Sequence, residues 1–327
     1  MRRREFLGLL GGAATCRPFA AGAQQAAPPA IGLLSSRSRA DSTRLLDRFK
    51  KGLAEAGLTD GQNVTIDYRF ADGQYDRLAV LAAELANSPI SVLVAVGGEP
   101  AARAAASASA KLPVLAIFAS DPVRNGLVDG LSHPGRNLSG ASILMASIEP
   151  KRIGLMHDIL PQAKVFGALL NPNTPTYAEQ LRDVQSAANA IGIEVKPLDV
   201  PNDQALEAAF ASAAQGNIPA LIASADPFLV FRRARIAELA VKARIPVIYP
   251  YRDFPEAGGL MSYGVDLADA YRQLALYAAR ILRGDKPQDL PVVEPTRFEF
   301  IINLKAARAL ELAIPPGILA IADEVIE

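Results

Sequence analysis

The sequence predicts an α/β protein of two doubly wound parallel-sheet lobes joined by a multi-strand hinge. Three observations carry that reading. Short apolar runs such as Val92 to Val96 and Val114 to Phe118 alternate with helix-period stretches, as expected of strands buried between helices. The interval from Gly32 to Gly57, which brackets the first strand, loop and helix, recurs from Gly167 to Gly192, with Leu46 and Leu181 at equivalent places inside. Two βαβαβ units of like construction follow from it. Finally, several stretches with strand character lie where the chain must pass between the halves, and 327 residues are enough for about two domains.

Taken in order, Ile31 to Leu34 reads as the first strand and Ser35-Ser36-Arg37-Ser38-Arg39 as its loop. A helix from Asp41 or Ser42 sets Leu45, Leu46, Phe49 and Leu53 on one stripe and stops at Gly57. Val64, Ile66, Tyr68 and Phe70 alternate with polar residues, which is strand periodicity, and Asp72-Gly73 turns the chain into a helix carrying Leu78, Leu81 and Leu85. Val92 to Val96 then runs into Gly97-Gly98 and a helix opening at Glu99-Pro100, and Val114 to Phe118 ends in Ser120-Asp121-Pro122. In the second half Leu221 to Ala223 leads to Asp226-Pro227 as Val92 to Val96 leads to Glu99-Pro100, and Ile245 to Ile248 echoes Leu112 to Leu115.

Asn137 to Met145 has room to cross between lobes, Gly258 to Tyr263 to cross back, and Val292 to Arg297 to make a third passage. The helix Asp266 to Leu282 precedes that passage. Phe298 to Ile302 forms a last strand, and helix continues to Ala313. These passages divide the chain into a leader at 1–23, a first lobe at 30–141 plus 262–293, and a second lobe at 142–261 plus 294–327. Multiple extended crossings make a hinge, and a cleft between hinged lobes is a common ligand site.

Met1 to Ala23 reads as a cleaved export signal. Arg2-Arg3-Arg4 supplies the charge, Phe6 to Ala14 the apolar run, and Ala21-Gly22-Ala23 a small-residue cleavage site. Arg3-Arg4-Glu5-Phe6-Leu7 has the look of a twin-arginine signal, with Sec export as the other route. The destination is then the periplasm. Without the leader's four arginines and one glutamate, 30 basic residues face 33 acidic ones, a net of −3, and no basic face for nucleic acid is implied. The one cysteine, Cys16, leaves with the leader, so neither disulfides nor thiol chemistry are expected.

Candidate ligand-binding residues sit where strands run out toward one edge of each sheet. In an open α/β sheet that edge holds ligands, because glycine lets backbone come close and a helix start presents unpaired N–H groups. In the first half these are Ser35, Ser36, Gly97, Gly98, Glu99, Ser120 and Asp121. The second half contributes Asn171, Asn173, Tyr177, Asp226 and Tyr249. Glu99 or Asp121 suits a cationic group, the Gly98 backbone and Ser36 an anionic one, and Tyr177 or Tyr249 an apolar body. Each has a plainer role beside that one: Glu99-Pro100 and Asp226-Pro227 are helix-start grammar, Asp121-Pro122 and Asn171 to Tyr177 are turn chemistry, and tyrosines fill cores.

Catalytic and metal chemistry find little footing. His133 and His157 are the only histidines and have no cysteine partner, so zinc and thiol-protease sites lack support. No Walker A sequence, no G-x-G-x-x-G after a strand and no G-x-S-x-G elbow is present. No cofactor is expected. A secreted hydrolase using Ser262 or Ser36 lacks a histidine base near either serine in sequence, and a ligand sensor for a membrane receptor is the third alternative.

The strings IGLLSSRS, GLTDGQNVTIDYRFADGQYDRL, VGGEPAARAA, SDPVRNGLVDGLSHPGRNLSG, LLNPNTP and INLKAARALELAIPPGILAIADEVIE resemble the ABC transporter substrate-binding protein family that includes the tryptophan-binding TrpX-type proteins. The resemblance covers essentially the whole chain after the leader. It implies a periplasmic receptor of the type I binding-protein fold that closes on a small solute and delivers it to a membrane permease. The resemblance also implies that the loops carrying the residues named above surround the ligand. The cleft carboxylates make a small polar or aromatic, amino-acid-like solute the expected guest, held without chemical change, and the receptor is expected to be a monomer. The first loop departs from the family pattern, with Ser-Ser-Arg-Ser in place of the His-Pro loop of TrpX-type members, and the chain has no tryptophan and few aromatics. Tryptophan is therefore not carried over as its ligand.

Overall fold

The computed structural model describes residues 28–143, 147–294 and 297–327. The expected leader and the Leu144-Met145 end of the first crossing lie outside them. In the first lobe β1 (Ala30–Ser35), α1 (Arg39–Glu55), β2 (Thr65–Phe70), α2 (Arg77–Ala86), β3 (Val92–Val96), α3 (Glu99–Ala108), β4 (Val114–Phe118) and β5 (Leu138–Ser142) follow one another. Their strands form a parallel sheet in the order β2-β1-β3-β4-β5. Helices are stitched on by local chemistry: the Ser38 side chain accepts from the Asp41 N–H at 3.1 Å, so α1 starts at Arg39, two residues before the sequence-based estimate. Leu45, Leu46, Phe49 and Leu53 are buried on its inner face, each contributing roughly 1.5–3 kcal/mol relative to exposure.

The second lobe comprises α4 (Glu149–Ile159), β6 (Val165–Leu170), α5 (Tyr177–Asn189), β7 (Glu194–Asp199), α6 (Asp203–Gln215), β8 (Leu221–Ala223), α7 (Pro227–Phe231), α8 (Arg233–Ala243), β9 (Val247–Tyr249), α9 (Asp253–Glu256) and β10 (Met261–Val265). Its sheet runs β12-β11-β10-β9-β8-β6-β7, adding β11 (Phe298–Asn303) and β12 (Glu324–Ile326) from the C-terminal stretch. The five strands β7-β6-β8-β9-β10 repeat the first lobe's order, with β6 in the place of β1, as the glycine spacing implied. Only the β10–β11 pairing is antiparallel among the described strands.

Between β10 and β11 the chain returns to the first lobe as α10 (Leu267–Leu282), which packs on α1 and behind β3, β4 and β5. Gly52 makes that contact possible. A Cβ there would sit 2.8 Å from both the Ala275 Cβ and the Arg272 carbonyl oxygen, too close for the helices to keep their spacing.

Three expectations need correction. Gly258 to Tyr263 does not cross back and the boundary at 262 is too early, because Met261–Val265 pairs with β9 and β11 inside the second sheet; the return falls at Asp266. The helix expected to reach Ala313 breaks into α11 (Leu304–Ala309) and α12 (Pro316–Ala320), with Glu311 at φ 55° turning the chain between them. β12 was not foreseen, since Glu324-Val325-Ile326 is too short and too charged at its start to read as a strand.

At the hinge, the Ser142 N–H donates to the Val293 carbonyl at 2.8 Å and the Asp266 N–H to the Arg297 carbonyl at 3.0 Å, so the three passages lie side by side. No helix among the described residues is long and apolar enough to cross a membrane.

Candidate functional site

The carboxyl ends of both parallel sheets face a common cleft, and the loops leaving them line it in two parts. A hollow of about 30 Å³ lies beside Arg37, Gly97, Gly98, Asp226 and Tyr251. A larger cavity of about 160 Å³ lies between the loop after β4 (Ala119, Ser120, Asp121, Arg124) and the second lobe's α4, α5, β6 and β8.

Around the smaller hollow the lobes bond directly to each other. The Arg37 guanidinium donates to the Asp253 carboxylate at 3.2 and 3.4 Å, with both side chains almost wholly buried. Burial pushes the Asp253 carboxyl up, but the Arg37 charge and hydrogen bonds outweigh it and hold the group below the usual aspartate range. Arg233 of α8 reaches Asp41 of α1 in the same way. The Tyr75 hydroxyl donates to Asp226 Oδ2 at 2.8 Å and accepts from the Phe228 N–H at 3.1 Å. Gly97 and Gly98 take φ of 90° and 108°, and a Cβ on Gly97 would fall 2.3 Å from Ser36 Oγ, so glycine is required for this close turn.

The larger cavity is built differently. Glu149, at the first turn of α4, is 7% exposed and lines it. Its Oε1 accepts from the Arg152 guanidinium at 2.6 Å, while Oε2 has no protein partner. Arg152 is fully buried and also donates to the carbonyls of Ala223 at 2.5 Å and Ile248 at 3.1 Å, tying the ends of β8 and β9 together. Burial raises the Glu149 carboxyl above its ordinary range, with Arg152 pulling it back. Ser224 Oγ and Gln180 Oε1, also on the wall, find no protein partner either. Glu179 and Asp183 line the α5 side, and burial together with the Glu179 charge raises Asp183. Ala168, Leu170, Val184, Ile222 and Ala225 make an apolar floor.

The residues named from sequence divide between these regions and the lobe interiors. Ser120 and Asp121 line the larger cavity, though the Asp121 carboxylate also accepts from the Val123 and Arg124 N–H groups at 2.9 and 3.1 Å, a turn role. Gly97, Gly98 and Asp226 line the smaller hollow. Asn171 donates to Asp226 at 3.1 Å and accepts from the Asn173 N–H at 3.0 Å, whereas Asn173 itself faces outward. Ser35 Oγ accepts from the Arg37 N–H at 3.1 Å, and Ser36 Oγ donates to the Gly97 carbonyl at 2.5 Å; both brace the first lobe's loops. Glu99 is buried against Ser120 (3.0 Å) and Arg103 (3.3 Å), and lines neither space. Burial raises its carboxyl, opposed by Arg103 and Ser120.

The two tyrosines do not wall the cleft. Tyr177 spends its hydroxyl on Asp199 at 2.7 Å, and Tyr249 is fully buried with its ring stacked on Phe254 at 4.5 Å. Sequence reasoning missed Arg37, Tyr75, Glu149, Glu179, Gln180 and Ser224. Glu149-Pro150 carried a usable signal, because it repeats the acid-proline helix start of Glu99-Pro100.

Two lobes of like topology, with a cavity where their loops meet, define a solute-binding protein. Residues 39–326 match the family model described as ABC transporter substrate binding protein, and the chain belongs to that family. A relative, the tyrosine-binding protein of Clostridioides difficile (strain R20291), is 27% identical over 271 residues, covering 82% of this chain and 77% of the relative. The solved ABC domain from Streptococcus pneumonia in complex with L-Trp matches with a TM-score of 0.84 at 26% identity, covering 91% of this chain and all of that one. The ligand-free, open structure of a substrate binding protein with adhesive properties from Clostridium difficile matches at 0.67 and 25% identity, covering 91% of this chain and 99% of that one.

At nearly equal identity and coverage, the arrangement is nearer the complex than the open structure, in keeping with the bonds that join the lobes here. Family membership sets aside the hydrolase alternative, since these proteins bind rather than transform. They typically act outside the cytoplasm.

Proposed function

We propose that the chain is the periplasmic substrate-binding component of an ABC-type importer, which encloses a small amino-acid-like solute between its lobes and passes it unaltered to a membrane permease. The observation that carries this reading is the cavity of about 160 Å³ whose walls come from both lobes, next to the hydrogen bonds that join the lobes. The tyrosine-binding relative and the L-Trp complex support an amino-acid scaffold for the solute. Export follows from the leader, cut near Ala23 by a Tat-like or Sec route, and the receptor works as a monomer without nucleic acid. The lobes are 30–141 with the α10 return and 142–265 with the C-terminal stretch. Among the residues named from sequence, Ser120 and Asp121 touch solute, and Gly97, Gly98 and Asp226 frame it.

A ligand that binds the shut arrangement better than the open one shifts the population toward it by that difference alone. The test is melting of the mature chain across an amino-acid panel, with native mass spectrometry of freshly purified protein for a retained solute. A raised melting temperature with a bound, unchanged solute is the expected result. Turnover of the solute, or no response across the panel, contradicts it.

A further inference from the structure

The larger cavity offers acceptors in excess of donors. Glu149 Oε2 is unpartnered in the protein on a side chain 9% exposed, and so is Ser224 Oγ, on a residue 7% exposed. Gln180 directs its amide N–H at Thr176 Oγ1, 2.9 Å away, which leaves its carbonyl oxygen free on the same wall. Charge points the same way. Arg152 balances Glu149, and beyond that pair the lining carries Asp121, Glu179 and Asp183 against Arg124, whose side chain is 64% exposed and 4.0 Å from Glu179. Among the described residues no group of three or more His, Cys, Asp or Glu is placed to hold a metal ion.

We propose that this cavity receives a cationic, N–H-rich group of the solute, with Glu149 Oε2 as its principal acceptor, and that the solute is a basic amino acid or a related amine. The inference rests on the solute-binding reading and names the solute class within it. An ammonium or guanidinium group supplies several donors in the geometry that a carboxylate, an amide oxygen and a hydroxyl together can accept. A solute carboxylate at the same place would face like charges and be repelled. The raised carboxyls of Glu149 and Asp183 fit a wall whose cation comes from outside the chain.

Calorimetry on the mature chain tests this with arginine, lysine, agmatine, tryptophan, tyrosine and glutamate as probes. The expected result is that arginine or lysine binds at least tenfold more tightly than tryptophan or tyrosine, and that glutamate fails to bind. E149Q should lower affinity for the cation by ten- to a hundredfold. Because E149Q also removes the counter-charge of the buried Arg152, D183N provides a milder variant, expected to cut cation affinity several-fold and tryptophan affinity by less. Tighter binding of a neutral aromatic, or an equal loss for cationic and neutral probes in both variants, overturns the proposal and leaves the receptor reading standing. Silence from all six probes overturns the proposal and counts against the receptor reading as well.

Discussion

Around Arg37 and Asp226 the two lobes meet through their own side chains, whereas around Glu149 and Ser224 they meet around a hollow. Both regions lie at the carboxyl ends of parallel strands, and both bury carboxylates. In the first, each carboxylate has its partner across the cleft: Asp253 has Arg37, Asp41 has Arg233, and Asp226 has Tyr75. In the second, Glu149 Oε2 and Ser224 Oγ are left to whatever fills the cavity. The difference divides the labour of closure. Protein bonds set how the lobes dock, and on the proposed reading solute completes the polar wall between them. Closing over water alone immobilises it at up to about 2 kcal/mol per molecule, while a guest with matching donors satisfies the same atoms directly.

The largest expected effect breaks the self-partnered half. Arg37→Met leaves Asp253 buried without its cation and should cost about 3–5 kcal/mol in urea unfolding; adding Asp253→Asn should recover much of the loss. A neutral single variant would mean that the pair does not hold the lobes. Tyr75→Phe removes a hydroxyl bond to a charged acceptor and acts on closure, where about 1.5–3 kcal/mol corresponds to roughly 10- to 100-fold weaker solute binding by calorimetry.

Acid provides a third probe. Asp253 and Asp41 sit below their ordinary pKa when folded, so the stability they add is present above about pH 4 and is lost as pH falls through the lowered values. The advantage of the parent chain over Asp253→Asn in unfolding free energy should therefore shrink between pH 6 and pH 2.5; an advantage that stays constant over that range would contradict it. The smallest effect is expected at Tyr177→Phe, whose hydroxyl serves the exposed Asp199. Stability should move within about 0.5 kcal/mol, and solute affinity should hold.

Much of this fold was legible because its signals are local and repeated. Val92 to Val96 could hardly be anything but a buried strand, and the recurrence of the Gly32–Gly57 interval at Gly167–Gly192 announced a second lobe of the same order. The loops that carry the site were legible too, since they follow from where parallel strands end. Which side chains of those loops face the cavity was not. Tyr177 and Tyr249 have the size and polarity to wall a cleft, yet the turn of α5 sends one outward to Asp199 and the packing of Phe254 draws the other into the core.

Nothing in the sequence sets Glu149 and Arg152 apart as a buried pair, since an acid and a base three residues apart are ordinary helix chemistry. Only the approach of α4 to the ends of β8 and β9 buries them and frees one oxygen toward the cavity. The interlobe partners are more than 150 residues apart in the chain, beyond any local pattern.

Cys16 is the one cysteine in the sequence, so a chain begun at Gln24 carries none and a spin-label pair can be placed cleanly. Labels at Ala83→Cys on α2 and Ala208→Cys on α6, both exposed, report the separation of the lobes by pulsed electron resonance. The account predicts a broad distribution of long distances without solute, collapsing to a single shorter one at saturation. The same distribution with and without a solute that calorimetry shows to be bound would contradict it.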